Sequence, residues 1–224
     1  MTHSRLTIFA GHYGSGKTNI AINYAIMLKK LHPDKRVILA DLDIVNPYFR
    51  SVDSEKELKK AGVEIIASLY ANSGLEAPAM PSGILSVFDD KSCLAVLDVG
   101  GDDRGAYALG KYADHIRKDD VGILLVCNKF RPLSREPEQV LAIKNEIESA
   151  AKIRFTGIVN NSNLGKQTTP DIIISSERYI NEISKICNLP LIFTSVMRPL
   201  ANEFQGISDL FALDMYEKEE WQIF

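Results

Sequence analysis

The segment Gly11-His12-Tyr13-Gly14-Ser15-Gly16-Lys17-Thr18 constrains this chain more tightly than any other stretch. It fits the pattern Gly-x4-Gly-Lys-Thr, follows an apolar run at residues 6–10 and opens a helix-like run at residues 18–31. A polyphosphate needs many donors at short range, so such a loop must curl with its backbone N–H groups turned inward, which glycine permits at positive φ. The helix that follows adds its N-terminal dipole and unpaired N–H groups. Lys17 then reaches the β- and γ-phosphates as a mobile point charge, and the Thr18 hydroxyl is a magnesium ligand. The implied ligands are a nucleoside triphosphate and magnesium, with Gly11 to Thr18 and the adjoining Asn19 forming the cradle.

Short apolar runs recur along the chain with helix-like segments between them, the signature of a parallel sheet covered on both faces. Strands are expected at residues 6–10, 37–40, 63–67, 94–97, 122–127, 155–159 and 191–194, and helices at 18–31, 136–151 and 170–186. Pro33 and Pro190 fall just past helix ends, where a missing N–H does least harm. Residues 69–82, with Asn72, Gly74, Pro78 and Pro81, read as a surface insertion. With 224 residues and 46% hydrophobic content, the chain can bury one large core, and a single domain over residues 1–224 is expected.

A phosphate loop alone hydrolyses nothing, so carboxylates are expected at neighbouring strand ends. Asp41-Leu42-Asp43 follows one apolar run, and Asp98 ends another before Val99-Gly100-Gly101. Magnesium keeps several waters and takes one or two carboxylates, which suits Asp98 acting through the water shell. Gly101 offers a backbone N–H to the γ-phosphate from a loop free to move when that phosphate leaves.

Together these motifs resemble the deviant-loop P-loop ATPases that include the ParA and MinD partition ATPases, the nitrogenase iron protein, Mrp-type scaffold proteins and the cobyrinic acid synthetases. The likeness covers nearly the whole chain. The phrases GHYGSGKT, DLDIVNPYFRS and DVGGDDRGAYALG are similar to a bacterial branch of MinD/ParA-like ATP-binding proteins. The resemblance implies a three-layer, doubly wound α/β fold with a mostly parallel sheet of about seven strands. By the same likeness, Asp43 positions the attacking water, Asp41 assists magnesium, and Asp98 and Gly101 form the second switch. It also implies adenine, read by an Asn at the end of Gly157-Ile158-Val159-Asn160-Asn161, with Asn161 the better fit and Asn160 second. The segment Val196-Met197-Arg198-Pro199 is similar to the family loop that packs on the base after the last strand.

This sequence departs from the family at the start of the loop. The signature lysine falls on His12, a titratable imidazole in place of a permanent cation, and the next glycine is Tyr13. A nucleotide-dependent homodimer is therefore left open. Arg50 and Arg104 are other candidate cations, read here as surface residues.

The first functional expectation is a magnesium-dependent ATPase that acts as a switch or assembly factor for a partner protein. The alternative is a biosynthetic enzyme activating a small carboxylate, similar to dethiobiotin or cobyrinic acid synthetases. The former carry Glu-Gly-x-Gly-Gly at the second switch, where this chain has Asp98-Val99-Gly100-Gly101. A guanine-reading Asn-Lys-x-Asp motif begins at Asn128-Lys129, but Arg131 stands where the acid would be. A module that binds nucleotide without turnover is the non-enzymatic reading. A net charge of −3 provides no field for nucleic acid, and the only notable basic cluster, Lys29-Lys30 with Lys35-Arg36, reads as a solvated helix end. No apolar run approaches the roughly 18 residues of a membrane span, and the acidic segment 214–224 would be repelled by an anionic membrane. Cys93, Cys127 and Cys187 lie in apolar surroundings, as reduced core thiols of a cytoplasmic protein would.

Overall fold

A computed structural model describes residues 3–43, 54–67, 83–101, 103–204 and 209–216, with the backbone alone at 103 and 104. The expected surface insertion at 69–82, Arg50, the side chain of Arg104 and most of the acidic C-terminal segment lie outside the described residues.

Eight strands form one sheet: β1 (Leu6–Ala10), β2 (Val37–Leu42), β3 (Glu64–Ile66), β4 (Leu94–Val99), β5 (Val121–Cys127), β6 (Gly157–Asn160), β7 (Leu191–Met197) and β8 (Leu210–Leu213). Their spatial order is β3-β2-β4-β1-β5-β6-β7-β8, and every described pairing is parallel. The helices are α1 (Lys17–Leu31), α2 (Glu55–Ala61), α3 (Ile84–Asp89), α4 (Asp103–Gly110), α5 (Ala113–Arg117), α6 (Pro137–Ala151), α7 (Pro170–Ile174) and α8 (Glu177–Cys187). The chain thus has the three-layer α/β fold of the P-loop nucleoside triphosphatases.

Two apolar clusters sandwich the sheet. On one face, Phe9, Leu39, Val96, Val126 and Phe193 pack with Ile20, Tyr24 and Leu28 of α1 and Leu58 of α2. On the other, Ile8, Ile38, Leu97 and Leu125 pack with α3, α4, α5, α6 and α8. Strands covered on both sides need apolar residues at nearly every position, which is why they read as continuous runs rather than alternating ones. Alternation still assigns the faces. Val37 and Leu39 point to the α1 side and so does Asp41, while Leu94 and Val96 take Asp98 the same way.

The structure departs from the sequence expectations in several places. An eighth strand, β8, extends the edge beside β7. Strands β2 and β4 each run two residues further than expected, so Asp41 and Asp98 both lie within the ladder rather than after it, and β7 runs three residues further. The helix expected over 170–186 is broken at Ser175-Ser176. There the two hydroxyls bond back to Ile172 O at 2.7 Å and Ile173 O at 2.6 Å, offering the backbone an alternative to helical bonding.

Candidate functional site

Strand β1 sits between β4 and β5, where the sheet order reverses, and the crevice outside the carboxyl ends of the strands opens there. The chain leaves β1 at Gly11 and curls through Gly14 (φ 73°) and Gly16 (φ 85°), left-handed values that a Cβ would penalise. Gly16 has a second reason to be glycine, because a Cβ there would collide with the side-chain amide of Asn161. Helix α1 then begins with no side-chain cap and no acid in its first turn. Its leading N–H groups are left to an anion from outside.

Lys17 is buried and bends back over the loop, donating to His12 O at 3.1 Å. Directly beneath lie two carboxylates that the strand register brings face to face, since Asp41 of β2 pairs with Asp98 of β4. Both are buried, Asp98 with 1% of its surface exposed, and neither Asp98 oxygen accepts a hydrogen bond of normal geometry among the described residues. Burial pushes the Asp98 carboxyl well above the usual carboxylate range and the adjacent Asp41 charge adds to this, while Lys17 and the Thr18 hydroxyl oppose it less strongly. An orphaned buried carboxylate beside Thr18 fits a hydrated magnesium ion. Among the described residues no group of three or more His, Cys, Asp or Glu forms a self-sufficient metal cage, and none is needed when phosphate and water supply the other ligands.

The segment after β4 rests on the loop after β1. A Cβ at Gly101 would lie 2.5 Å from Tyr13 N, and one at Gly100 would lie 3.1 Å from an Asp43 carboxylate oxygen. Glycine at both positions lets the three segments meet.

Beside the loop lies a cleft of about 760 Å3, lined by Gly14, by polar residues that include Lys17, Thr18, Asn19, Asp43 and Asn161, and by the apolar residues Phe130, Leu164, Met197, Leu213 and Met215. Asn161 is buried; its Nδ2 donates to Ser15 O at 2.6 Å and its Oδ1 accepts from Ser195 Oγ at 2.5 Å. Asn160 faces elsewhere, its amide donating to Ser176 Oγ at 2.9 Å in the break before α8. Arg198 grips both carboxylate oxygens of Asp214 at 2.7 Å, and neither it nor Pro199 lines the cleft. The His12 ring lies 2.9 Å from Tyr13 O and also stands outside the lining. Lys29 caps the end of α1 through Pro33 O and Lys35 O, both at 2.8 Å.

Of the apolar lining, sequence reasoning places Met197, within the segment Val196-Met197-Arg198-Pro199, and misses the rest. Leu213 and Met215 reach it because β8 exists, and Asn23 of α1 fixes the chain beyond β8 by exchanging two 2.8 Å hydrogen bonds with the Asp214 backbone. The only signal was the apolar run at 210–213.

Fold and loop together define the class: a P-loop nucleoside triphosphatase fold with its phosphate loop at the sheet's reversal point. Solved structures agree on the fold. The chain is similar to the signal recognition particle receptor FtsY from Elizabethkingia anophelis in complex with GDP (17% identity, TM-score 0.54, covering 88% of this chain and 58% of that one). It is similar also to the signal recognition particle 54 kDa protein from Aeropyrum pernix in complex with GDP (13%, 0.54, 84% and 40%), and to chloroplast FtsY from Physcomitrella patens (16%, 0.54, 87% and 59%). The chain thus spans less than two thirds of the length of each of these proteins. No family model matches the sequence, and no curated protein matches it.

Proposed function

We propose that residues 1–224 form one nucleotide-binding domain that holds ATP with magnesium, hydrolyses it and acts as a switch for a partner protein in the cytoplasm. The observation that carries this reading is the buried Asp98 carboxylate, without a hydrogen bond of normal geometry among the described residues, paired in register with Asp41 and close to Lys17 and Thr18. Such an arrangement costs stability unless a cation from solution completes it.

In this reading the backbone of residues 11–18 and Lys17 hold the phosphates. Thr18 and Asp98 hold magnesium, Asp98 through water, with Asp41 in support. When bound, that ion neutralises charge developing on the β- and γ-phosphate oxygens. Asp43, in the cleft wall beside Gly100, positions the attacking water. Gly101 offers its N–H to the γ-phosphate and lets go when that phosphate departs, and this motion is what the partner reads. The exposed face of the phosphate loop at His12 and Tyr13 is where a second copy would dock in a nucleotide-dependent homodimer.

Two of the similar structures contain GDP. For this chain adenine is favoured, because Arg131 occupies the place of the guanine-reading acid and Asn161 stands in the cleft wall. Calorimetry with ATP and GTP, each with and without magnesium, tests the reading. Magnesium-dependent ATP binding that Lys17→Ala abolishes is expected; binding of neither nucleotide would refute it. A phosphate-release assay repeated with small carboxylates separates the switch from a synthetase, which one of them would stimulate.

A further inference from the structure

The Arg131 guanidinium lies beside Gly14 of the phosphate loop. A Cβ built on Gly14 would lie 3.7 Å from Arg131 Nε and 4.0 Å from its Cζ, and both residues line the cleft. No acidic side chain or hydrogen-bond acceptor engages the Arg131 side chain among the described residues, unlike Arg5, Arg36 and Arg198, each of which is paired.

Its backbone is held firmly. Arg131 precedes Pro132 and is extended (φ −101°, ψ 135°), as a residue before proline prefers. Its N–H bonds to Asn128 O at 3.2 Å, and its carbonyl accepts from Ser134 N at 3.1 Å. Ser134 Oγ bonds to Asn128 O at 2.8 Å, and the Ser134 carbonyl accepts from the buried Tyr179 hydroxyl. The side chain therefore projects from a braced turn toward the glycine that a phosphate must approach.

We propose that Arg131 is a second cation for the phosphate chain of the bound nucleotide, supplied by the same chain from the loop after β5. This rests on the reading of the cleft as a nucleotide site. Its place beside Gly14 of the phosphate loop assigns it to phosphate rather than to the base. The guanidinium is permanently charged and presents several donors in a fixed plane, which suits phosphate oxygens. It thereby offsets the absence of a lysine at His12.

The test is calorimetric titration of the parent, Arg131→Gln and Arg131→Lys with magnesium-ATP and, separately, with adenosine, at low and at moderate salt. Arg131→Gln should weaken ATP binding about ten- to hundredfold, the scale of a charge-assisted hydrogen bond lost. Arg131→Lys should recover part of that loss, and the salt dependence of ATP binding should be shallower in Arg131→Gln. Adenosine binding and the melting temperature should be the same in all three proteins. Unchanged ATP affinity in Arg131→Gln would overturn the proposal while leaving the nucleotide site standing. Equal weakening of adenosine and ATP would assign the guanidinium to the base instead, and a parent that binds no nucleotide would remove the site and the proposal together.

Discussion

Asn161, on the loop after β6, donates its side-chain amide to the backbone carbonyl of Ser15 at 2.6 Å and so latches the cleft wall to the phosphate loop. The other end of the same amide accepts from Ser195 Oγ at 2.5 Å, so one residue ties β6, β7 and the loop after β1. Asn161→Ala removes both bonds and takes the amide donor from Ser15 O, while Ser195 Oγ keeps its bond to Asn160 O at 3.2 Å, a loss of about 1–3 kcal/mol. The melting temperature should fall by several degrees and ATP affinity should fall with it. A residue that only reads the base would weaken adenine binding and leave the melting temperature of the nucleotide-free protein where it was. Comparing the melt without nucleotide against adenosine titration separates the two roles.

Gly101 lies so close to Tyr13 that a Cβ would sit 2.5 Å from one backbone atom and 2.8 Å from another. Backbone cannot rotate away as a side chain can, so Gly101→Ala must lift the second switch off the phosphate loop. Overpacking of this kind costs about 1–3 kcal/mol. Nucleotide binding should survive with modest loss, since Lys17 and the loop are untouched. Phosphate release should fall at least about tenfold, which is about 1.4 kcal/mol in the barrier. Parent-like turnover in this variant would show that contact between the two loops is not used in hydrolysis.

What could be read in advance followed the range of the forces involved. The loop from Gly11 to Thr18 and its flanking strand and helix are specified by their own residues, so spacing alone located them. Asp41 and Asp98 could be placed at strand ends, but that they pair with each other depends on β2 and β4 being neighbours, which no local pattern encodes. Strand β8 has only four residues, too few for a clear strand pattern although Gly206, Ser208 and Asp209 precede it; it is held by β7 and by Asn23 reaching across from α1. The choice between Asn160 and Asn161 turns on strand parity and on Ser176, a residue supplied by a break that helical periodicity did not reveal. Arg131 was legible only as a missing acid, because its nearness to Gly14 arises from the fold and not from local sequence.

Asp43 lines the cleft without being deeply buried, and its carboxylate approaches Gly100 of the second switch. A group that orients water acts in the transition state more than in the bound state, so its removal should lower kcat and spare affinity. Asp43→Ala is expected to bind magnesium-ATP within a fewfold of the parent and to lose about a hundredfold or more in turnover, the range of a positioned acid or base. Single-turnover phosphate release beside calorimetry gives both numbers. Equal hydrolysis by the two proteins would place the water elsewhere, and a large loss of affinity would reassign Asp43 to magnesium.

Asp98 should make the protein less stable than it could be until its ligand arrives. The buried carboxyl is raised well above the ordinary carboxylate range, by burial first and by Asp41 second. A carboxyl with a raised pKa in the folded state takes up a proton on folding, and that contribution is fully present below the unfolded value. It is lost as pH climbs from the ordinary carboxylate range through the raised value, and above both the full cost of burying the charge remains. Asp98→Asn keeps the shape without the charge, and an unbonded amide costs less to bury than an unbonded carboxylate. The nucleotide-free variant should therefore melt higher than the parent at neutral pH, by about 2–4 °C for each kcal/mol relieved in a chain of this size. The gap should close as pH falls toward the carboxylate range. Magnesium with ATP should stabilise the parent strongly and the variant little, because the variant has lost the group that holds the ion, and turnover should fall with it. Melting curves across pH, with and without magnesium-ATP, decide the matter. A variant less stable than the parent at neutral pH, or a gap that ignores pH, would mean that Asp98 is satisfied within the fold and is not held ready for a cation.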